Sequence, residues 1–323
     1  MWHLDTATLD PITDAEMPVP GRGEVLIQVA YAGVNRPDLM QRSGKYPPPP
    51  GASPIMGLEV SGYISAIGAD VTQWKVGDVV CALTPGGGYA EYCLAPAGHC
   101  LTPPEGLDLC QAAVLPENCF TVYENVINRG KLQKGETILI HGGSSGIGYT
   151  AIMMAKAWGA IVISTVGSQE KKVFCESIGA DYVINYREQD FVAEVAQITQ
   201  NNGVNLILDM VGGPYIQKNI ASLALEGRLV QIAFQKGASV ELDVKPIMMK
   251  RLTFTGSTMR ARSIEAKEGI AQGLMRDIWP LYKDKRMRPI INTVFPVKEA
   301  AQAHAVMQSS QHCGKLVLEV KGK

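Results

Sequence analysis

Along the first 120 residues the apolar positions come in short runs, "EVLIQVAYAGV" over 24–34, "GLEVSGYISAIGA" over 57–69 and "DVVCAL" over 78–83, each stopped by Gly or Pro. Runs of that length between turn residues predict short strands and a β-rich unit. From residue 134 the pattern alternates. "ETILIHG", "AIVISTVG", "DYVINY", "VNLILDMVG" and "GRLVQIAF" read as strands, with "YTAIMMAKAWG", "QEKKVFCESIG", residues 189–200 and "YIQKNIASLAL" as the helices between them. Strand, helix, strand, helix predicts right-handed crossovers and a parallel sheet. These strands are apolar on both faces, as a sheet covered by helices requires. The expected class is α/β, a β-rich unit joined to a doubly wound parallel sheet. "RLTFTGSTM", over 251–259, reads as the last strand of that sheet. Its apolar, β-branched content suits pairing with a second copy, and equally an edge covered within one chain.

The segment "ETILIHGGSSGIGYTA" holds Gly146-x-Gly148-x-x-Ala151 between an apolar strand and a helix, the context a dinucleotide fingerprint needs. Gly146 permits the tight turn, Gly148 lets the backbone approach a pyrophosphate, and Ala151 keeps the helix close to the strand. The loop Gly143, Ser144, Ser145, Gly146, Ile147 and Gly148 is read as the phosphate cradle at a helix start. The second strand then selects the nucleotide. NAD enzymes place an Asp or Glu about 20 residues past the glycines to grip the ribose 2′-OH, whereas this strand ends in Gly167 and Ser168. A small residue leaves room for a 2′-phosphate, a hydroxyl can bond it, and Lys171 supplies charge. NADPH is the expected cofactor. Lys171 and Lys172 also fit an ordinary solvated helix face, with Glu170 beside them. Tyr186, after the third strand, either lines the adenosine side or packs.

Composition narrows the classes further. With 323 residues the chain can bury two cores. Lys+Arg 30 against Asp+Glu 31 gives a net charge of −1 with no basic block, so nucleic acid is not an expected partner. The start "MWHLDTATLDP" lacks a basic head and an apolar core, and no apolar run reaches the roughly 18 residues of a spanning helix. A soluble, cytoplasmic protein is expected. Cys81, Cys93, Cys100, Cys110, Cys119, Cys175 and Cys313 form no Cys-x-x-Cys pair, and the five histidines are scattered. Free thiols and no zinc site are the reading.

Several motifs in order, "PGRGEVLIQVAYAGVNRPDLMQRSGKY", "GLEVSG", "VGDVVCAL", "GGGYAEY", "AAVLPE", "GETILIHGGSSGIG" and "GKLVLEV", span essentially the whole chain. Together they resemble the zinc-independent quinone oxidoreductases of the medium-chain dehydrogenase/reductase superfamily, most nearly the p53-inducible-type NADPH quinone oxidoreductases. That resemblance implies a GroES-like catalytic domain over 1–120, completed by 259–323, and a Rossmann domain over 121–258. It implies a nicotinamide held in the cleft between them, and a homodimer. In zinc-dependent relatives a Cys in "G-x-C-x-x-D" and a His in "G-H-E" ligate the catalytic metal. Here those motifs read Gly33-Val34-Asn35-Arg36-Pro37-Asp38 and Gly57-Leu58-Glu59, so both ligands are gone.

The implied activity is NADPH-dependent reduction of quinones. Without a Lewis acid, alcohol oxidation suffers, whereas a quinone is already electrophilic and needs mainly positioning and a hydrogen bond. Tyr46, followed by Pro47 to Pro50, is the first candidate donor, against a tyrosine packed on prolines. Asn35 is the second, an amide for substrate or nicotinamide ribose, against a turn amide. Ser145 is read either as a serine beside cofactor and substrate or as a helix cap. By resemblance, Thr121 lies near the carboxamide, and Val211, Gly212, Ala233, Phe234, Gln235 and Lys315 border the dinucleotide. Glu59 is expected to be structural, and Asp38 and Arg42 to pair one helical turn apart. Two other functions stay open: reduction of α,β-unsaturated carbonyls, for which the sequence shows no clear proton donor, and NADPH binding without catalysis.

Overall fold

In the computed structural model, which describes residues 1–320, the chain divides into two units, Met1–Phe120 with the segment from Arg260 onward, and Thr121–Met259. In the second unit, the apolar run around Ile138–Ile140 forms strand β1 (Thr137–His141), followed by helix α1 (Gly146–Ala157). The alternation continues through β2 (Ile161–Val166), α2 (Gln169–Ser177), β3 (Tyr182–Asn185), α3 (Phe191–Ile198), β4 (Val204–Asp209), α4 (Tyr215–Ser222), β5 (Leu223–Gln231) and β6 (Thr253–Gly256). The sheet order is β3-β2-β1-β4-β5-β6, and every neighbouring pair is parallel. Leu139, Ile163, Ile184, Ile207 and Leu229, one from each of the first five strands, share a buried core.

The register brings the strand ends level. His141 pairs with Thr165, Val166 with Asn185, and Asp209 with Gln231, so all five strands stop along one edge of the sheet. Two predicted boundaries shift. α4 stops at Ser222 because Leu223 turns extended and pairs with Val204. β6 begins at Thr253 because Arg251, at φ 52°, takes a left-handed conformation.

The first unit is built on the long strand Glu24–Val34. It pairs antiparallel with Glu59–Ile67, Tyr92–Pro96 and Lys315–Glu319 in a seven-stranded sheet, over a core that includes Val25, Ile27, Val29, Val60, Val80 and Leu316. Strand Ile291–Pro296 runs parallel to Lys315–Glu319 at the edge. Leu316 sits opposite Val34, which sets Lys315 beside the start of helix Arg36–Arg42. Gly33 is needed at this crossing: a Cβ there would lie 2.1 Å from the Glu59 carboxylate. Among the described residues no helix is long and apolar enough to cross a membrane.

Candidate functional site

In the first unit the polar residues after Val34 fold inward as one network. Lys315 is 2% exposed, and its ammonium donates to Asn35 Oδ1 at 2.5 Å and to Glu59 Oε1 at 2.6 Å. Asn35 Nδ2 donates to the same Glu59 oxygen at 2.9 Å, and the Glu117 N–H fills Glu59 Oε2 at 2.9 Å. Glu59 is therefore a fully satisfied structural carboxylate, as expected. Asn35 thus places both ends of its amide within this network. Lys315 is held in the network by pairing of its strand with Glu24–Val34.

Asp38 is buried completely and accepts from the Asn35 N–H at 2.7 Å, the Gly57 N–H at 3.2 Å and the Tyr89 hydroxyl at 3.2 Å. Burial pushes its carboxyl up to about 6. It makes no pair with Arg42, whose Nε donates to the Ala7 carbonyl at 3.0 Å. Beyond Tyr89 stands His304, with Nε2 at 3.2 Å from the hydroxyl and a pKa pulled down by burial to about 4. A neutral imidazole donating from Nε2 fits both contacts and leaves the bare Nδ1, which has no partner.

Tyr46 lies half-buried in the loop after helix Arg36–Arg42. The Arg260 guanidinium stands 5.3 Å from its ring centroid, donating to the carbonyls of Tyr46 at 3.3 Å and Pro85 at 2.8 Å. Lys267 Nζ fixes the Arg260 carbonyl at 2.9 Å. The Tyr46 hydroxyl makes no hydrogen bond among the described residues. Burial and then Glu117 raise its pKa, while Arg260 opposes them. Arg260 and Glu117 were missed from sequence. A lone carboxylate in the apolar run 112–122 was the available signal for Glu117; Arg260 gave none.

In the second unit, every predicted nucleotide residue except Thr121 follows the carboxyl end of a parallel strand, where open α/β sheets bind ligands. Gly143 to Gly148 follow β1, Gly167 to Lys171 follow β2, Tyr186 follows β3, Val211 and Gly212 follow β4, and Ala233 to Gln235 follow β5. The turn before α1 leaves no room for side chains: a Cβ on Gly148 would lie 2.2 Å from the Gly142 carbonyl. Ser145 is the cap of α1. Its hydroxyl accepts from the Gly148 N–H at 3.0 Å and donates to the Gly142 carbonyl at 2.8 Å, which spends its one proton locally. The N–H groups of Gly146 and Ile147, in the first turn, have no intrahelical acceptor. They are left for an anion.

At the end of β2, a Cβ on Gly167 would fall 2.6 Å from the Tyr186 hydroxyl and 3.4 Å from Arg187 Nε. Gly167, Tyr186 and Arg187 thus converge. Ser168 caps α2 by accepting the Lys171 N–H at 3.3 Å, which leaves its own proton to give. Arg187 was not foreseen, because its place depends on how β3 brings it beside β2. Tyr186 and Arg187 also open onto a hollow of ≈ 400 Å³ with Tyr215, Lys218 and Lys236. The loops after β4 and β5 brace each other, with Lys236 N–H on the Val211 carbonyl at 2.8 Å and Gln235 N–H on the Met210 carbonyl at 3.3 Å. The Asp209 carboxylate holds the N–H groups of Val211 at 2.6 Å and Gly212 at 3.2 Å, so those two donors are engaged inside the protein. Thr121, at the start of the unit, gives its carbonyl to Asn125 Nδ2 at 2.8 Å.

A β-rich unit with a buried polar network, and a parallel sheet with an empty-shouldered glycine turn at its carboxyl edge, define a nucleotide-dependent oxidoreductase of the medium-chain dehydrogenase/reductase type. The family "Alcohol dehydrogenase GroES-like domain" matches residues 21–105 and "Zinc-binding dehydrogenase" matches 146–272. The quinone oxidoreductase of Rattus norvegicus is 30% identical over 311 residues, 95% of this chain and 92% of the relative. The chain belongs to the quinone oxidoreductase family of that superfamily. Among solved structures, a mycobacterial protein complexed with NADPH aligns with TM-score 0.88 at 26% identity, over 99% of this chain and 100% of the other. The JamJ enoyl reductase aligns with TM-score 0.86 at 28% identity, over 99% and 97%.

The protein is an NAD(P)H-dependent oxidoreductase acting on a small molecule. The zinc in one family's name finds no fitting donor set. Asn35 and Glu59 direct their oxygens onto the Lys315 ammonium, and among the described residues no group of three or more His, Cys, Asp or Glu could hold a metal ion. All seven cysteines are free, and burial raises the thiols of Cys81, Cys93, Cys100 and Cys119.

Proposed function

We propose that the protein reduces quinones with NADPH and needs no metal. The observation that carries this reading is Tyr46: a phenol whose hydroxyl is unengaged by the protein, with the Arg260 cation over its ring. Bound NADPH supplies the hydride. Tyr46 donates a hydrogen bond to the acceptor oxygen as negative charge grows there, and Arg260 steadies the charge that returns to the phenol. Gly146, Ile147 and Gly148 border the pyrophosphate. Ser168, Lys171, Tyr186 and Arg187 receive the 2′-phosphate, with no carboxylate at the end of β2 to repel it. The similarity to quinone oxidoreductases supports the acceptor class, and that to an NADPH complex supports the cofactor.

The likeness to an enoyl reductase keeps a second reading, reduction of an α,β-unsaturated carbonyl. Both are tested by following NADPH oxidation with a benzoquinone, a naphthoquinone, an enone and an enoyl thioester, beside nicotinamide-fluorescence titrations with NADPH and NADH. Quinone turnover with tighter NADPH binding is expected, and Tyr46→Phe lowers kcat by about 100-fold. Quinone turnover no faster than free NADPH gives overturns the reading. Turnover of enones alone selects the second, and tight NADPH binding with no turnover shows a non-catalytic protein.

A further inference from the structure

His141 ends β1 wholly buried, a titratable group that the proposed reaction leaves unused. Its hydrogen bonds fix its chemistry. Nε2 lies 2.7 Å from Asn219 Oδ1, and Asn219 turns that oxygen to the ring because its Nδ2 donates to Asp209 Oδ2 at 2.9 Å. The imidazole therefore carries its proton on Nε2, and its bare Nδ1 accepts from the Thr165 hydroxyl at 2.9 Å. Burial holds the ring below its ordinary pKa, against the opposing pull of Asp209, so it stays neutral at pH 7. The donors run in one direction, Thr165 to His141 to Asn219 to Asp209, from β2 through β1 and α4 to the end of β4. They stop on the carboxylate that holds the N–H groups of Val211 and Gly212.

Two surfaces of the nucleotide edge rest on this ring. The loop after β4 presses on the glycine turn: Met210 Sδ lies 3.8 Å from the Ser145 hydroxyl oxygen, and a Cβ on Gly142 would come 3.3 Å from that sulfur. On the other side Phe191 and Tyr215, which open α3 and α4, stand edge-on to the imidazole, each with its ring centroid 5.0 Å away. Those rings also wall the hollow beside Tyr186 and Arg187, with the Lys218 ammonium 5.6 Å over Phe191 and that of Lys236 5.1 Å over Tyr215. An apolar side chain would fill the same space without the cost of burying these polar groups. It could not orient Asn219, and through it Asp209.

We propose that His141 is a positioning residue for dinucleotide binding: its Nε2–H sets the β4 loop against the phosphate turn, and its ring props the two aromatic walls of the hollow. The inference deepens the reductase reading and rests on it for where the dinucleotide lies. The ring's contacts are all to the protein's own supports, so its loss falls on nucleotide affinity and not on the chemical step. Substitutions separate orientation from bulk. His141→Gln supplies an amide N–H near the Nε2 position, His141→Asn reaches only as far as Nδ1, and His141→Leu keeps volume with neither. By nicotinamide fluorescence, His141→Asn and His141→Leu weaken NADPH binding about 10-fold, the scale of one buried group left unpaired. kcat at saturating NADPH stays within about twofold, and His141→Gln restores most of the affinity. Circular dichroism establishes that each titrated variant is folded. Unchanged affinity in folded His141→Leu, or equal loss in all three variants, overturns the role. Nitrogen-15 NMR of the histidines in the wild-type chain, assigned through bonds to the backbone, does not depend on any variant folding. A protonated Nε2 beside an unprotonated Nδ1 is expected for His141 at pH 7, and a proton on Nδ1 overturns the proposal. A wild type that shows this tautomer but binds neither NADPH nor NADH overturns the reductase reading, and with it the role in binding.

Discussion

The ammonium of Lys315 and the carboxylate of Glu59, 2% and 0% exposed, form an ion pair with almost no water to screen it. Its components were visible in sequence only as a terminal "GKLVLEV" and a "GLE" motif, 256 residues apart by number (315 − 59). Nothing in local pattern says they meet. Their contact is set by the antiparallel register of Leu316 against Val34, which composition and periodicity do not encode. That is why the partner of Lys315 was not legible in sequence, while Glu59 was read as a structural hydrogen-bonding residue and takes that place here. Replacing one partner strands the other. Lys315→Met is expected to destabilise the fold by about 3–5 kcal/mol, because Glu59 keeps a buried charge with only an amide and an N–H to hold it. The double variant Lys315→Met with Glu59→Gln recovers part of that loss. Urea denaturation of the four proteins in the cycle measures it, and equal destabilisation of single and double variants would show that the pair is not the cause.

At the scale of elements, the parallel sheet was legible because a strand covered on both faces must be apolar at successive positions, and the glycine turn because its spacing follows from steric contacts within one loop. Boundaries were less so. Leu223 sits in an apolar stretch that suits helix or strand, and its pairing with Val204 decides. The roles of individual side chains around α1 were hardest, since a serine at a helix start either caps or faces a ligand. Ser145 caps. Ser145→Ala is therefore expected to cost about 1 kcal/mol through the lost cap while leaving kcat for quinone reduction unchanged. Thermal unfolding and steady-state rates at one temperature check this, and a large fall in kcat with little change in stability would return Ser145 to the chemistry.

For the molecule as a whole, the open question is its assembly, and the end of the second unit's sheet bears on it. β6 stands last in the order, pairs with β5 alone and leaves its other side without a strand among the described residues. Unpaired edges invite another chain unless charge, proline or a covering element blunts them. Here the edge carries Phe254 at 42% exposure, and the helix before it, Lys245–Met249, exposes Met248 at 70% and Met249 at 61%. Apolar surface beside free backbone donors and acceptors fits a second copy of the same strand. Two β6 strands related by a two-fold axis would run antiparallel, satisfy each other's edge and bury these side chains in an isologous contact. Sedimentation equilibrium is expected to give the mass of two 34.8 kDa chains. Phe254→Lys should halve that mass by placing two like charges across the axis, with NADPH binding retained, because the nucleotide residues proposed above follow the carboxyl ends of the strands and do not lie along β6. A wild type that sediments as one chain, or a variant that remains paired, would place the contact elsewhere or remove it.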